Sequence, residues 1–144
     1  MNEVCFNYDV AILGGGSAGY AAARTAADMG LRTVVIESSK EIGGLCILRG
    51  CMPSKALLYA AEVMHLVSHA EPWGISAEKV HFDFAKVIAR KNKLIKDFAD
   101  YRYEQLANGK FKLIRADAHF LDPHTVALSN VGLLTAAHFV FTTG

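Results

Sequence analysis

Cys46 and Cys51, with four residues between them, are the side chains best suited to covalent chemistry in this chain. A thiolate attacks a disulfide and a second thiolate leaves, so two neighbouring thiols can trade a disulfide for a dithiol. Five residues of regular helix rise about 7.5 Å, beyond the roughly 7 Å between Cα atoms that a disulfide tolerates. If the two cysteines bond, the backbone between them is not regular helix, and Gly50 just before Cys51 is consistent with a distorted turn. Cys51 stands before an expected helix, whose dipole and free N–H groups favour thiolate. Lys55, one turn further, adds positive charge. The arrangement suits a reducible pair better than an inert staple. Three cysteines form no closed framework, and Cys5 is read as an unpaired thiol in a frayed terminus.

A metal reading competes. Cys46, Cys51, His65 and His69 spell C-x4-C-x13-H-x3-H, close to a zinc-finger spacing. The segment around Cys46 lacks a hairpin pattern, and zinc leaves the glycine motif described next without a purpose. A solvated helix face is the preferred reading of His65 and His69. His81, His119, His124 and His138 show no partner pattern. Trp73, between Pro72 and Gly74, is expected to anchor packing.

The second constellation is Gly14-Gly15-Gly16-Ser17-Ala18-Gly19, which matches G-x-G-x-x-G. The pattern alone is weak; its context here is a strand before it and a helix after it. Gly14 permits the tight turn, Gly16 lets a pyrophosphate approach the backbone, and Gly19 lets helix and strand pack closely. Free N–H groups at the helix start then face phosphate charge. Glu37 follows Gly19 by 18 residues and can accept hydrogen bonds from adenosine ribose hydroxyls. A carboxylate there would repel a 2′-phosphate, so NADP is disfavoured at this loop. The loop by itself does not separate FAD from NAD.

These residues need a scaffold. Tyr8 to Leu13 and Arg32 to Ile36 read as apolar strands, joined by a small-residue helix from about Ser17 to Met29 that Gly30 stops. That βαβ unit implies parallel strands. Ser38 to Gly50 reads as irregular. A helix is expected from about Pro53 to Ser68 and another over Phe82 to Leu106. Phe84, Val87, Ile88, Ile95, Phe98 and Leu106 supply the apolar stripe of the second. The basic run Arg90 to Lys96 is expected to be its solvated face rather than a phosphate site. Strands are expected over Phe111 to Leu121, Thr125 to Ser129 and Leu133 to Phe141, as a small antiparallel meander. The fold class is therefore α/β: a Rossmann-like βαβ unit with a parallel sheet plus that meander.

Composition excludes several classes. Of 144 residues 52% are apolar and 20% charged, with a net charge of +1. This gives no basic patch for nucleic acid or an anionic membrane, and no apolar run is long enough to span one. Glu3 and Asp9 stand where a secretory leader would be basic, which points to the cytoplasm, where disulfides are rare and usually catalytic. The stop at Thr142-Thr143-Gly144, straight after an apolar strand, points to an incomplete piece of a longer protein.

The run Gly43-Gly44-Leu45-Cys46-Ile47-Leu48-Arg49-Gly50-Cys51-Met52-Pro53-Ser54-Lys55 resembles the active-site signature of the class I pyridine nucleotide-disulfide oxidoreductases. Dihydrolipoamide dehydrogenase, glutathione reductase and mercuric reductase belong to that family. Its pattern is Gly-Gly-Thr-Cys, four residues, then Cys-x-Pro-Ser-Lys. Thr142-Thr143-Gly144 resembles the family's Ala-Thr-Gly flavin-contact segment, so the resemblance runs from Tyr8 onward. It implies that residues 1–144 are the N-terminal part of an FAD-binding domain. Gly14, Gly16, Ser17 and Gly19 would hold the pyrophosphate and Glu37 the ribose. Gly44, Cys46, Lys55, Ala118, Thr143 and Gly144 would complete the FAD site, Lys55 beside the flavin ring and Ala118 against adenine. Cys46 would be the thiol that exchanges with a disulfide or dithiol substrate, and Cys51 the thiol nearest the flavin.

The resemblance further implies electron passage between NAD(P)H, FAD and the Cys46–Cys51 disulfide, and a homodimer. The NAD(P)H domain, the dimerisation domain and the catalytic His and Glu would lie outside this sequence. The isolated chain is then expected to bind FAD poorly and not to turn over. Leu45 departs from the usual Thr and Arg49 from a usual apolar residue, which leaves the subfamily open. The lean is toward dihydrolipoamide dehydrogenase. A mercuric or glutathione reductase-like enzyme and a non-catalytic nucleotide-binding module are the alternatives.

Overall fold

The computed structural model describes residues 5–144; Glu3 lies outside them. Strand β1 (Tyr8–Leu13) runs into helix α1 (Ser17–Asp28) and returns as β2 (Thr33–Glu37), parallel to β1 with Val10 opposite Thr33. All five residues of β2 are buried, as expected of a strand covered on both faces. Alanine-rich α1 ends where Gly30 N–H reaches Ala27 O and Leu31 N–H reaches Ala26 O, the hydrogen-bond pair of a Schellman stop.

Helices α2 (Gly44–Leu48), α3 (Cys51–Ser68) and α4 (Phe84–Ala107) follow. Strands β3 (Lys112–Arg115), β4 (Ala118–Asp122), β5 (Thr125–Leu128) and β6 (Gly132–Phe141) complete a sheet of order β3-β2-β1-β6-β5-β4. The sheet joins two regimes through β6. Residues 132–135 pair antiparallel with β5, while Ala136 to Phe141 pair parallel with β1. The meander's last strand is thus also a central strand of the parallel sheet.

Side-chain alternation divides the core between the sheet's two faces. Ile12 and Val35 pack with Ala23 of α1 and with Leu106 and Phe111. Ala11, Leu13, Val34 and Ile36 pack on the other side with Val126, Leu128 and Leu134 of the meander.

Several expectations are corrected. The strand expected over Phe111 to Leu121 is two strands, because the chain changes partners at Ala116 and Asp117. There the Ala116 N–H donates to Glu37 O and the Asp117 N–H to Ser129 Oγ. β3 pairs parallel with β2, and β4 pairs antiparallel with β5. The irregular stretch contains the short helix α2, and α3 begins at Cys51 rather than near Pro53. Proline fits inside that first turn, where its missing N–H has no helical partner. Helix α4 starts at Phe84 because Asp83 caps it, accepting from the Lys86 N–H at 3.1 Å. Its expected apolar stripe is buried only at Leu106; Phe84 is 61% and Phe98 43% exposed. Trp73 anchors nothing and is 72% exposed. Among the described residues no helix is long and apolar enough to cross a membrane.

Candidate functional site

The glycine loop leaves β1 with the Gly14 N–H still bonded to Ile36 O at 2.8 Å, then turns into α1. A Cβ on Gly19 would lie 1.9 Å from Gly14 O, so only glycine lets the helix start this close to the strand end. Helix α1 has no side-chain cap and no acid in its first turn, and its leading N–H groups keep their positive potential for an external anion.

Glu37, the last residue of β2, is buried beneath this loop. Its two carboxylate oxygens accept from the Gly15 N–H at 2.7 Å and the Ser39 N–H at 2.8 Å. Burial pushes its pKa up, but the N–H groups of Ser39 and Gly15 outweigh that, and its carboxyl sits below the ordinary 4.5. Glu37 therefore clamps the loop itself while its remaining lone pairs stay available to a ligand.

The cysteine segment is locked to this loop by glycine against glycine. Gly44 opens α2 at φ +66°, and a Cβ there would lie 2.7 Å from the Gly16 Cα. That approach sets α2, and Cys46 on it, at the rim of the glycine loop. The helix then breaks at Arg49 and Gly50, whose dihedrals (φ −139°, ψ 0° and φ −123°, ψ −108°) are not helical. The break meets the geometric condition set by the spacing of the cysteines. Cys51 resumes as the first residue of α3, with no side-chain cap or acid in that turn.

Both thiols are free, Cys46 half-buried and Cys51 exposed. The hydrogen bond between Cys46 and the Cys51 sulfur is the main reason the Cys46 pKa lies above the ordinary 9.0. Burial and like-charge repulsion push the same way; the Cys51 N–H and Lys55 oppose them. Cys46 thus keeps its proton to higher pH than a solvated thiol.

A cavity of about 900 Å³ joins these parts. Of the residues singled out from the sequence, Gly14, Gly16, Ser17, Glu37, Gly44, Cys46, Ala118, Thr143 and Gly144 line it. Gly19 packs behind the loop. Cys51 and Lys55 sit outside its wall at the start of α3, Lys55 close enough to act on Cys46. The four residues of the zinc pattern are not brought together. His65 lies about 21 Å along α3 from Cys51, and its ring stacks on that of His69 instead, centroids 4.2 Å apart.

Sequence reasoning places Thr142 in the segment resembling a flavin contact but gives its side chain no role of its own. Its hydroxyl lies 2.9 Å from both Leu13 O and Gly14 O, tying the end of β6 to the turn of the glycine loop. Its place between an apolar strand and Thr143 is the available signal. Glu41, which pairs with Arg49 at 2.9 Å, and Ser38 to Lys40 also line the cavity without having been singled out.

A glycine loop interlocked with a two-cysteine segment is the arrangement of a dithiol redox protein. The family described as Pyridine nucleotide-disulphide oxidoreductase matches residues 8–144, and the chain belongs to that family. Dihydrolipoyl dehydrogenase of Bacillus subtilis (strain 168) is 40% identical over 116 residues, covering 81% of this chain and 24% of the relative. Mercuric reductase of Lysinibacillus sphaericus is 35% identical over 139 residues, covering 96% of this chain and 25% of the relative. The solved structure of the HOCl-induced flavoprotein disulfide reductase RclA from Escherichia coli superposes with a TM-score of 0.76 at 28% identity. That match covers 95% of this chain and 28% of the other. The chain spans about a quarter of the length of these relatives.

Proposed function

We propose that this chain is the FAD-binding part of an NAD(P)H-dependent disulfide oxidoreductase, with Cys46 and Cys51 as its redox pair. The observation that carries the reading is the Gly16–Gly44 contact, which fixes the dithiol segment against the glycine loop. The cavity has the size of a cofactor site, and its donors fit a dinucleotide. Free N–H groups of the loop and α1 would hold the pyrophosphate. Glu37 would accept from the ribose, Ala118 would meet the adenine, and Thr143, Gly144 and Lys55 would lie toward the flavin. FAD, when bound, supplies two-electron exchange with the nicotinamide and with the dithiol.

The protein's own chemistry is thiol–disulfide exchange. Cys46, once deprotonated, attacks one sulfur of a substrate disulfide and releases the first substrate thiolate, forming a mixed disulfide. Cys51 then attacks the Cys46 sulfur and releases the second, leaving the Cys46–Cys51 disulfide. The raised pKa of Cys46 is consistent with a base assisting this attack. The base, the nicotinamide domain and the dimerisation domain belong to the rest of a homodimeric cytoplasmic enzyme. The substrate reading is a dithiol or disulfide of the lipoamide kind, supported by the dihydrolipoyl dehydrogenase relatives.

The test is a flavin titration of the full-length protein followed by reduction with one equivalent of dithionite per flavin, the spectrum of Cys46→Ser being read before reduction. Bound FAD and a long-wavelength thiolate-to-flavin band, lost in Cys51→Ser and kept in Cys46→Ser, support the assignment. A protein that takes up no FAD and copurifies with zinc overturns it.

A further inference from the structure

A second cavity, of about 470 Å³, lies between the segment at Lys40 to Ile42 and helix α4. It shares Lys40, Glu41 and Leu48 with the first cavity and is otherwise walled by α4 and by Arg115 of β3. Lys91, Ile95, Ala99 and Tyr103 recur every fourth residue, one continuous stripe along α4. The basic run expected to be a solvated face is therefore divided. Arg90 and Lys93 do not line the cavity, whereas Lys91 and Lys96 do.

The charge in this cavity is unbalanced. Four cations, Lys40, Lys91, Lys96 and Arg115, stand against two acids, Glu41 and Asp100, a formal excess of two. Both acids are already neutralised, Glu41 by Arg49 and Asp100 by Lys96. Arg115 is held in place by the Ser39 and Lys40 carbonyls and acts on the Glu37 carboxylate, so the uncompensated charge rests on the lysines. Lys40 and Lys91 make no ion pair among the described residues. An entering anion thus meets uncompensated ammonium groups. Beside them lie apolar surface, from buried Ile42 and from Ile95, and the Tyr103 ring. Pockets of this size that combine apolar walls with a few convergent polar groups are typical small-molecule sites.

We propose that this second cavity binds a small dianion carrying an apolar body, the chemistry of an aryl or alkyl phosphate monoester. The phosphate lies between Lys40 and Lys91, and the apolar group rests on Ile42, Ile95 and Tyr103. The proposal does not depend on the redox reading of the first cavity.

The test is a titration of the isotope-labelled protein with phenyl phosphate, followed by amide chemical shifts. Saturable shifts are expected at Asn92, Ile95 and Tyr103 and not at Gly14 to Gly16. Lys91→Glu should weaken binding roughly tenfold or more. Arg90→Glu makes the same change of charge one residue outside the cavity wall and should leave binding close to that of the unaltered protein. Shifts confined to the glycine loop, equal losses in the two variants, inorganic phosphate binding as tightly as phenyl phosphate, or no saturation would each overturn the proposal.

Discussion

Replacing Glu37 with glutamine tests whether the nucleotide loop is held by a charge. The two carboxylate oxygens each accept one backbone N–H, from Gly15 at 2.7 Å and from Ser39 at 2.8 Å. Glutamine keeps one acceptor and turns the other position into a donor facing a donor. A hydrogen bond to a charged group contributes about 1.5–3 kcal/mol, and a buried N–H left unpaired adds its desolvation cost. One bond lost and one weakened gives a destabilisation of about 2–4 kcal/mol at neutral pH. At about 3 °C per kcal/mol for a chain of this size, the melting temperature should fall by roughly 6–12 °C.

The pH dependence is the sharper part of that experiment. The folded-state pKa of Glu37 is depressed below 4.5. Its contribution is therefore fully present above the unfolded value and disappears as pH falls through the folded value. Every other carboxylate titrates alike in both proteins, so the difference in unfolding free energy between the unaltered chain and Glu37→Gln isolates this group. Denaturant unfolding without added nucleotide, repeated from about pH 7 to about pH 3, should show the gap closing below pH 4.5. A gap under about 0.5 kcal/mol at neutral pH, within ordinary surface-substitution scatter, or a gap of unchanged size at the acid end, would refute the clamp.

Three further outcomes are expected. Gly44→Val places side-chain atoms where a Cβ alone already lies 2.7 Å from Gly16 Cα, and forces a β-branched residue to φ +66°. In the full-length protein its FAD affinity, read by flavin fluorescence, should drop by roughly tenfold or more, since the loop must move; unchanged affinity would deny the interlock. In Cys51→Ala the main cause of the raised Cys46 pKa is gone. Alkylation of Cys46 should then reach half its limiting rate at lower pH than in the unaltered chain, and an equal or higher midpoint would count against the thiol–thiol hydrogen bond. Arg102 has Nε and Nη1 buried without an acceptor among the described residues, and lies 4.1 Å over the Tyr20 ring. The ring contact is worth about 0.5–2 kcal/mol, set against the cost of two buried donors without acceptors. Arg102→Met should leave stability within about 1 kcal/mol or raise it; a loss beyond about 2 kcal/mol in denaturant unfolding would contradict this.

What can be read from the sequence follows from the range of the interactions involved. The βαβ unit is legible because the apolar runs, the small-residue helix and Gly30 lie close together in the chain and each reports on its own neighbours. The position of Glu37 follows from the same unit. The division of the 111–121 strand does not, because each half is a plausible strand and the break depends on contacts with Glu37 and Ser129, distant in the chain. Exposure of Trp73, Phe84 and Phe98 is likewise invisible, since an apolar residue does not announce what, if anything, covers it.

The site shows the same division in finer detail. Spacing alone dictates that Cys46 and Cys51 need a broken helix if they are to bond, and the break at Arg49 and Gly50 supplies it. Spacing cannot reveal what carries that broken helix to the nucleotide loop. The answer is a pair of glycines far apart in the chain, Gly16 and Gly44, which touch because neither has a side chain. The two glycines thus join the glycine loop to the cysteine segment, and a substitution at either should disturb both the shape of the loop and the placement of Cys46. Thr142 makes the third side of the same joint, its hydroxyl bonded to the strand end from which the loop departs. Binding at the loop and reactivity at the thiol are for this reason expected to change together in variants of Gly16, Gly44 or Thr142, whereas a variant of Lys55 should alter the thiol and leave the cradle in place.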